Sequence, residues 1–175
     1  GLGNPGGKYE LTRHNAGSRF VCETARGAGV ALRVEPKFDG RLASVRIGPE
    51  SVYLFIPGVY MNVSGLPVVK VARFYKIPVG EILVVHDELE LPPGEVRLKT
   101  GGGHGGHNGL RDLIKHLGSN AFSRLRIGIG HPGEGCDVAG YVLKNPSAME
   151  ANLIEDAMCR ALNDLPAAVA GKSNL

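Results

Sequence analysis

His14, within Arg13-His14-Asn15-Ala16-Gly17, and Asp87, within His86-Asp87-Glu88-Leu89, are of the types that activate water. A neutral imidazole accepts a proton from water near neutral pH. A carboxylate on its distal nitrogen fixes the tautomer and steadies the imidazolium that forms. The same spacing also suits a polar residue near a helix start and a carboxylate at a loop entry. His86 and Glu88 compete for the same roles, so sequence order leaves open which group meets the His14 ring.

Asn4, Asn62 and Asn108 form a second set. They lie in Gly1-Leu2-Gly3-Asn4-Pro5-Gly6, in Tyr60-Met61-Asn62-Val63-Ser64-Gly65 and in the glycine-rich run from Gly101 to Gly109. A carboxamide offers two donors and an acceptor without charge, so it can hold a peptide backbone or an ester carbonyl of varied sequence. Donors aimed at a developing oxyanion are also a large contribution in acyl transfer. Each has a plainer role open to it: a turn residue before Pro5, a helix-entry residue, and a helix cap.

Other chemistries fit less well. The run Gly101-Gly102-Gly103-His104-Gly105-Gly106-His107-Asn108-Gly109 lacks the Gly-Lys-Ser/Thr ending of a nucleotide-phosphate loop, although glycine amides and a following helix start suit an RNA phosphate. His104 and His107 have no third or fourth ligand spaced beside them, so no metal and no other cofactor is expected. Ser64 lacks a nucleophile-elbow setting, and Cys22, Cys136 and Cys159 form no CxxC.

These residues need a scaffold. Residues 15–29 read as a short helix, with Asn15 able to cap it, Phe20, Val21, Thr24 and Ala28 near one face, and Gly29 as the stop. Residues 45–48 and 52–56 read as a hairpin through Gly48-Pro49-Glu50-Ser51. Residues 64–75 have helical spacing, with Pro67 in the first turn and Pro78 beyond the end. Ile82-Leu83-Val84-Val85 is apolar on both faces, as a central strand requires, and delivers His86 and Asp87 at its carboxyl end, where open α/β sheets bind ligands.

Val96-Arg97-Leu98-Lys99 alternates as a further strand, as do Leu125, Ile127 and Ile129. Between them, Leu110, Leu113, Ile114 and Leu117 mark a helix with Asn108 near its start and Gly118 after its end. Ser147 and Glu150 form a capping box before the stripe Leu153, Ile154, Ala157, Met158, Ala161 and Leu162. The order predicts one α/β domain over residues 1–175, with a mixed, twisted central sheet and helices on both faces. Because the chain opens on Gly1-Leu2-Gly3, where a strand should be finishing, residues before it are expected.

A length of 175 residues suits one core, and no apolar run approaches the roughly 20 residues of a membrane span. The net charge of +3, with Arg97, Lys99, Arg111, Lys115, Arg124 and Arg126 in the second half, permits a polyanionic partner and equally suits a solvated surface. Three cysteines without a pairing pattern fit a reducing cytoplasm.

The motifs quoted above, with Leu91-Pro92-Pro93-Gly94 and Arg124-Leu125-Arg126-Ile127-Gly128-Ile129-Gly130-His131-Pro132, resemble the bacterial peptidyl-tRNA hydrolase family along nearly the whole chain. The resemblance implies a monomeric, metal-independent enzyme that cleaves the ester joining a peptide to the terminal ribose of tRNA. It implies His14 as catalytic base, Asp87 as its orienting partner, and Asn4, Asn62 and Asn108 as amides lining a peptide channel. Tyr9, Tyr60, Met61 and His107 follow as further substrate-side residues, and Lys99, Arg111 and Arg126 as contacts to tRNA phosphates. The glycine-rich loop then resembles a flexible gate. Pro57-Gly58-Val59-Tyr60 departs from the family's threonine-containing segment, and the tail after Leu165 is short and alanine-rich.

Overall fold

Strand and helix periodicities alternate along the chain, and the elements follow them. The strands are β1 (Arg33–Glu35), β2 (Gly40–Ile47), β3 (Glu50–Pro57), β4 (Leu83–Glu88), β5 (Val96–Thr100) and β6 (Ser123–Gly128). The helices are α1 (Ala16–Gly27), α2 (Gly65–Phe74), α3 (Asn108–Leu117), α4 (Val138–Val142) and α5 (Ala148–Val169). The structure, a computed structural model, describes residues 1–173 and 175; Asn174, within the domain expected over residues 1–175, lies outside the described residues.

The strands form two three-stranded sheets. In one, β1, β2 and β3 run antiparallel, with Val45 opposite Val52 at the hairpin. The other is mixed: β6 lies between β4, to which it is parallel, and β5, to which it is antiparallel. The opening residues tie the two together, since Gly1 N donates to the Phe55 carbonyl at 2.9 Å and Leu2 N to the Val85 carbonyl at 3.0 Å. Beyond that tie a cavity of about 580 Å³ opens, lined by Val52 and Leu54 of β3 and Leu83 and Val85 of β4.

β4 has an apolar residue on each face because both faces are covered. Val85 joins Phe20 of α1, Leu125 and Ile127 of β6 and Ile154 of α5 in one core cluster. Val84 joins Leu2, Met61, Phe122, and Leu110 and Leu113 of α3 in the other. Leu113, Phe122, Leu125 and Ile127 are fully buried, each worth roughly 1.5–3 kcal/mol of transfer free energy.

The ends of the helices refine the sequence reading. Ser147 and Glu150 do form the capping box at the start of α5. Asn15 stands at the start of α1 but makes no side-chain cap, because its amide is engaged elsewhere. Asn108 is the first residue of α3, and the side chain that caps it belongs to His107. α5 continues through Pro166 to Val169, so the alanine-rich tail is helical beyond Leu165. β1 and α4, of three and five residues, are too short to show a period in the sequence.

Candidate active site

The site begins with a close approach of helix to strand. A Cβ on Gly17 would stand 2.1 Å from the Val85 carbonyl oxygen, so only glycine lets the first turn of α1 lie directly on β4. His14, in the single turn Arg13–Asn15 just before α1, is thereby set beside Asp87 near the end of β4.

His14 Nδ1 lies 2.9 and 3.1 Å from the two carboxylate oxygens of Asp87. His107 Nε2 lies 2.9 Å from Oδ1 of the same carboxylate. Burial by itself would push the Asp87 carboxyl up, but the electrostatic attraction and hydrogen bonds of the His107 and then the His14 N–H groups outweigh it and hold the group well below the usual carboxylate range. An ionised Asp87 only accepts, so His14 donates from Nδ1 and its Nε2 carries a lone pair. That Nε2 has no hydrogen-bond partner among the described residues, and the side chain is 11% exposed. It is placed to take a proton from water.

His107 is held in the other tautomer. Its Nδ1 accepts from the backbone N–H groups of Gly109 and Leu110, capping α3, so its proton resides on Nε2 and is donated to Asp87. The donor atoms of His14, Asp87 and His107 lie within 4.8 Å of one another, a set whose types could hold a cation. In the arrangement present, both imidazoles direct N–H at the carboxylate, which uses the three groups as a hydrogen-bonded triad instead.

His86 and Glu88 were rivals for the His14 partnership, and the structure assigns both elsewhere. His86 is buried; its Nδ1 donates to the Asp87 carbonyl at 2.7 Å, and its Nε2 has no partner. Burial, and then the nearby His107, lower its pKa to about 4, so it is neutral. Glu88 accepts from Arg126 Nε at 2.8 Å.

Asn4 is the best-oriented amide. Its Oδ1 accepts from Met61 N at 2.7 Å, which leaves its Nδ2 donors free. Its backbone is pinned on both sides by Asn15, whose Oδ1 accepts from Asn4 N and whose Nδ2 donates to Asn4 O. The sequence reading missed this role of Asn15 because it also fitted a helix cap. Asn62 and Asn108 are exposed, each one residue beyond a buried or half-buried site residue, Met61 and His107. Their segments meet: a Cβ on Gly109 would stand 2.6 Å from Met61 Sδ. Asn108 Oδ1 accepts from Arg111 Nη1 at 3.0 Å. Tyr9 and Tyr60 form an edge-to-face pair with ring centroids 6.3 Å apart, with Tyr60 mostly exposed.

The cations divide by environment. Lys99 and Arg111 are exposed, whereas Arg126 is half-buried and paired with Glu88 and, at 3.1 Å, Glu90. Arg13 carries no signal of its own in the sequence beyond the motif it shares with His14. It is buried, lies 4.1 Å over the Tyr141 ring, donates to the carbonyls of Tyr141, Lys144 and Asn145, and pairs with Glu150 at 2.9 Å. Glu150 also accepts from Ser147 N, so one carboxylate joins the cap of α5 to the residue preceding His14.

Known proteins are similar to this chain over nearly all of its length. A family model described as "Peptidyl-tRNA hydrolase" matches residues 1–174. A peptidyl-tRNA hydrolase of Saccharophagus degradans (strain 2-40) is 58% identical over 159 residues, covering 90% of this chain and 81% of that protein. One of Marinomonas sp. (strain MWYL1) is 52% identical over 175 residues, covering 99% and 90%. The crystal structure of peptidyl-tRNA hydrolase from Acinetobacter baumannii superposes with a TM-score of 0.94 at 49% identity, covering 98% of this chain and 87% of that one. The chain belongs to the peptidyl-tRNA hydrolase family.

Proposed function

We propose that this chain hydrolyses the ester between a peptide and the terminal ribose of tRNA, with His14 activating the attacking water. The observation that carries the reading is the pairing of His14 Nδ1 with the Asp87 carboxylate, which leaves Nε2 as an acceptor with no hydrogen-bond partner among the described residues. Water loses a proton to Nε2 as its oxygen attacks the ester carbonyl; Asp87 steadies the imidazolium. The Nδ2 donors of Asn4, and the amides of Asn62 and Asn108, then serve the acyl group and the oxyanion. The proton returns from His14 to the departing ribose oxygen. An ester is a suitable target, since an alkoxide leaves more readily than an amine.

Tyr9, Tyr60 and Met61 are assigned to the peptide end of the substrate, and Lys99, Arg111 and Arg126 to tRNA phosphates. Supporting this division, Tyr9 and Tyr60 flank the Met61 segment that Asn4 binds, while Lys99 and Arg111 project to solvent. All groups of the site come from one chain, which fits a monomer, and free Cys22, Cys136 and Cys159 fit a cytoplasmic protein. The test is release of peptide from purified peptidyl-tRNA. The wild type should turn over, and His14→Ala should lose kcat while still binding substrate; full turnover by His14→Ala would overturn the mechanism, and binding without release by the wild type would make the chain an RNA-binding module.

A further inference from the structure

β5 and β6 bring four cations to one face. Arg97 stands opposite Arg126 and Lys99 opposite Arg124, and the residues between them, Leu98 and Leu125, point to the core. Like charges directly opposed across strands are destabilising, so the arrangement calls for anionic partners. Arg126 finds them in Glu88 and Glu90, while Arg97 pairs with Glu95 and Lys99 stays exposed. Arg124 is different. It is only 3% exposed, it lies 4.8 Å from the Phe122 ring centroid, and no carboxylate among the described residues pairs with it.

Its guanidinium is spent on backbone instead. Nη1 donates to the Gly103 carbonyl at 2.5 Å and Nη2 to the Gly102 carbonyl at 2.6 Å, with Asn120 Nδ2 adding a bond to the Gly102 carbonyl at 3.2 Å. Gly102 has φ +95°, and a Cβ there would stand 3.1 Å from the Lys99 side chain. Past this point, among the described residues, the loop bonds only to itself: Gly106 N donates to His104 Nδ1 at 3.1 Å and His107 N to the His104 carbonyl at 2.8 Å. The next firm attachment is His107, on Asp87 and on the start of α3.

We infer that Arg124 is a positioning residue, whose forked grip on the Gly102 and Gly103 carbonyls fixes the near end of the glycine-rich loop and so sets where His107 meets Asp87. Two parallel N–H donors on one rigid plane define both distance and orientation, which one ammonium cannot do. The loop is thereby a strap fastened at two points, and loosening one shifts the other. This rests on the proposed hydrolysis only for its effect on rate; the strap itself is a property of the folded chain.

The test combines hydrogen exchange with kinetics on Arg124→Lys, which keeps the charge, and Arg124→Met, which does not. The amide of Gly101, bonded to the Phe122 carbonyl, and that of His107, bonded to the His104 carbonyl, report the two ends of the loop. In both variants these amides should exchange faster than in the wild type. kcat on peptidyl-tRNA should fall roughly 10- to 100-fold, as expected when a reacting geometry slips, with the salt dependence of KM retained. Should Arg124→Met fail to fold, Arg124→Lys decides alone. Wild-type exchange at both amides in Arg124→Lys would overturn the inference. So would unchanged kcat with a shallower salt dependence of KM, which would make Arg124 a phosphate contact. Faster exchange in a protein without hydrolase activity would leave the strap standing and remove only the catalytic role.

Discussion

His107 donates from Nε2 to Oδ1 of Asp87 at 2.9 Å, on the same carboxylate that receives His14, so a single acid joins the proposed base to the start of α3. Because Nδ1 of His107 is committed to two backbone amides, this histidine is fixed as a donor. It supports Asp87 without competing with His14 as a base.

Asp87→Asn should abolish most turnover with little effect on binding. An amide nitrogen facing His14 would force Nδ1 to accept, moving the ring proton to Nε2 and removing the base. A fall in kcat of roughly 10³- to 10⁴-fold is expected by analogy with triads in which the acid is similarly replaced. Steady-state kinetics on peptidyl-tRNA measures it, and a loss confined to KM would contradict the tautomer argument.

Asn4→Asp should fold, since an acceptor for Met61 N remains, yet it loses both Nδ2 donors and brings a negative charge beside the ester. If Asn4 serves the oxyanion, kcat should drop by about 2.7–4 kcal/mol in barrier terms, roughly 10²- to 10³-fold. Comparison of kcat with thermal stability separates the two effects.

Stability should fall with acidification in a window set by His86. Its pKa is 6.5 ordinarily and about 4 in the folded chain, where burial and then His107 disfavour the charged form. Between those values the unfolded chain binds more protons than the folded one, so stability is lost as pH drops from 6.5 to 4, by about 3 kcal/mol in all, and no further below. Urea unfolding of the wild type and of His86→Gln across this range should give a sloping and a flatter profile respectively. The Asp87 contribution has the opposite origin, a depressed carboxyl, and is lost only as pH falls below its ordinary 3.8.

Arg13→Met should destabilise the protein by about 3 kcal/mol, at the lower end for a broken buried pair because Glu150 is partly exposed. The loss includes the donor to the Asn145 carbonyl, whereas the Tyr141 and Lys144 carbonyls keep the backbone N–H groups of Lys144 and Arg13. A clear fall in Tm is the expected reading; wild-type Tm would show that water replaces the guanidinium.

Lys99→Ala should weaken tRNA binding and reduce the log–log salt slope by about 0.7–0.9, the share of one phosphate. Arg126→Ala should change the slope less, because its guanidinium already faces Glu88 and Glu90. Binding titrations between low and moderate salt distinguish the two, and equal slopes for both variants would show that Arg126 meets its phosphate as fully as Lys99 despite its acidic neighbours.

Local sequence determined a good deal here. The apolar run before His86 specified a strand buried on both faces, Ser147 and Glu150 specified the start of α5, and glycines with turn residues specified the β2–β3 hairpin, because each rests on neighbours within a few positions. The residue types His, Asp and Asn also supply the chemistry that the proposed water activation and carboxamide binding require. Which groups meet was decided only in three dimensions. The partnership of His14 with Asp87, rather than His86 or Glu88, depends on α1 approaching β4 closely enough for a bare Gly17 to touch the Val85 carbonyl. Asn15 gave up its cap to hold Asn4, and Asn108 yielded that role to His107, because a side chain with two local uses is assigned by contacts from elsewhere in the chain. Arg124 stands among the cations that equally suit a solvated surface, Arg13 has no signal of its own, and both prove to be buried fasteners of backbone carbonyls. Carbonyl groups carry no signature in an amino-acid sequence, so tertiary packing alone could disclose what those two arginines hold.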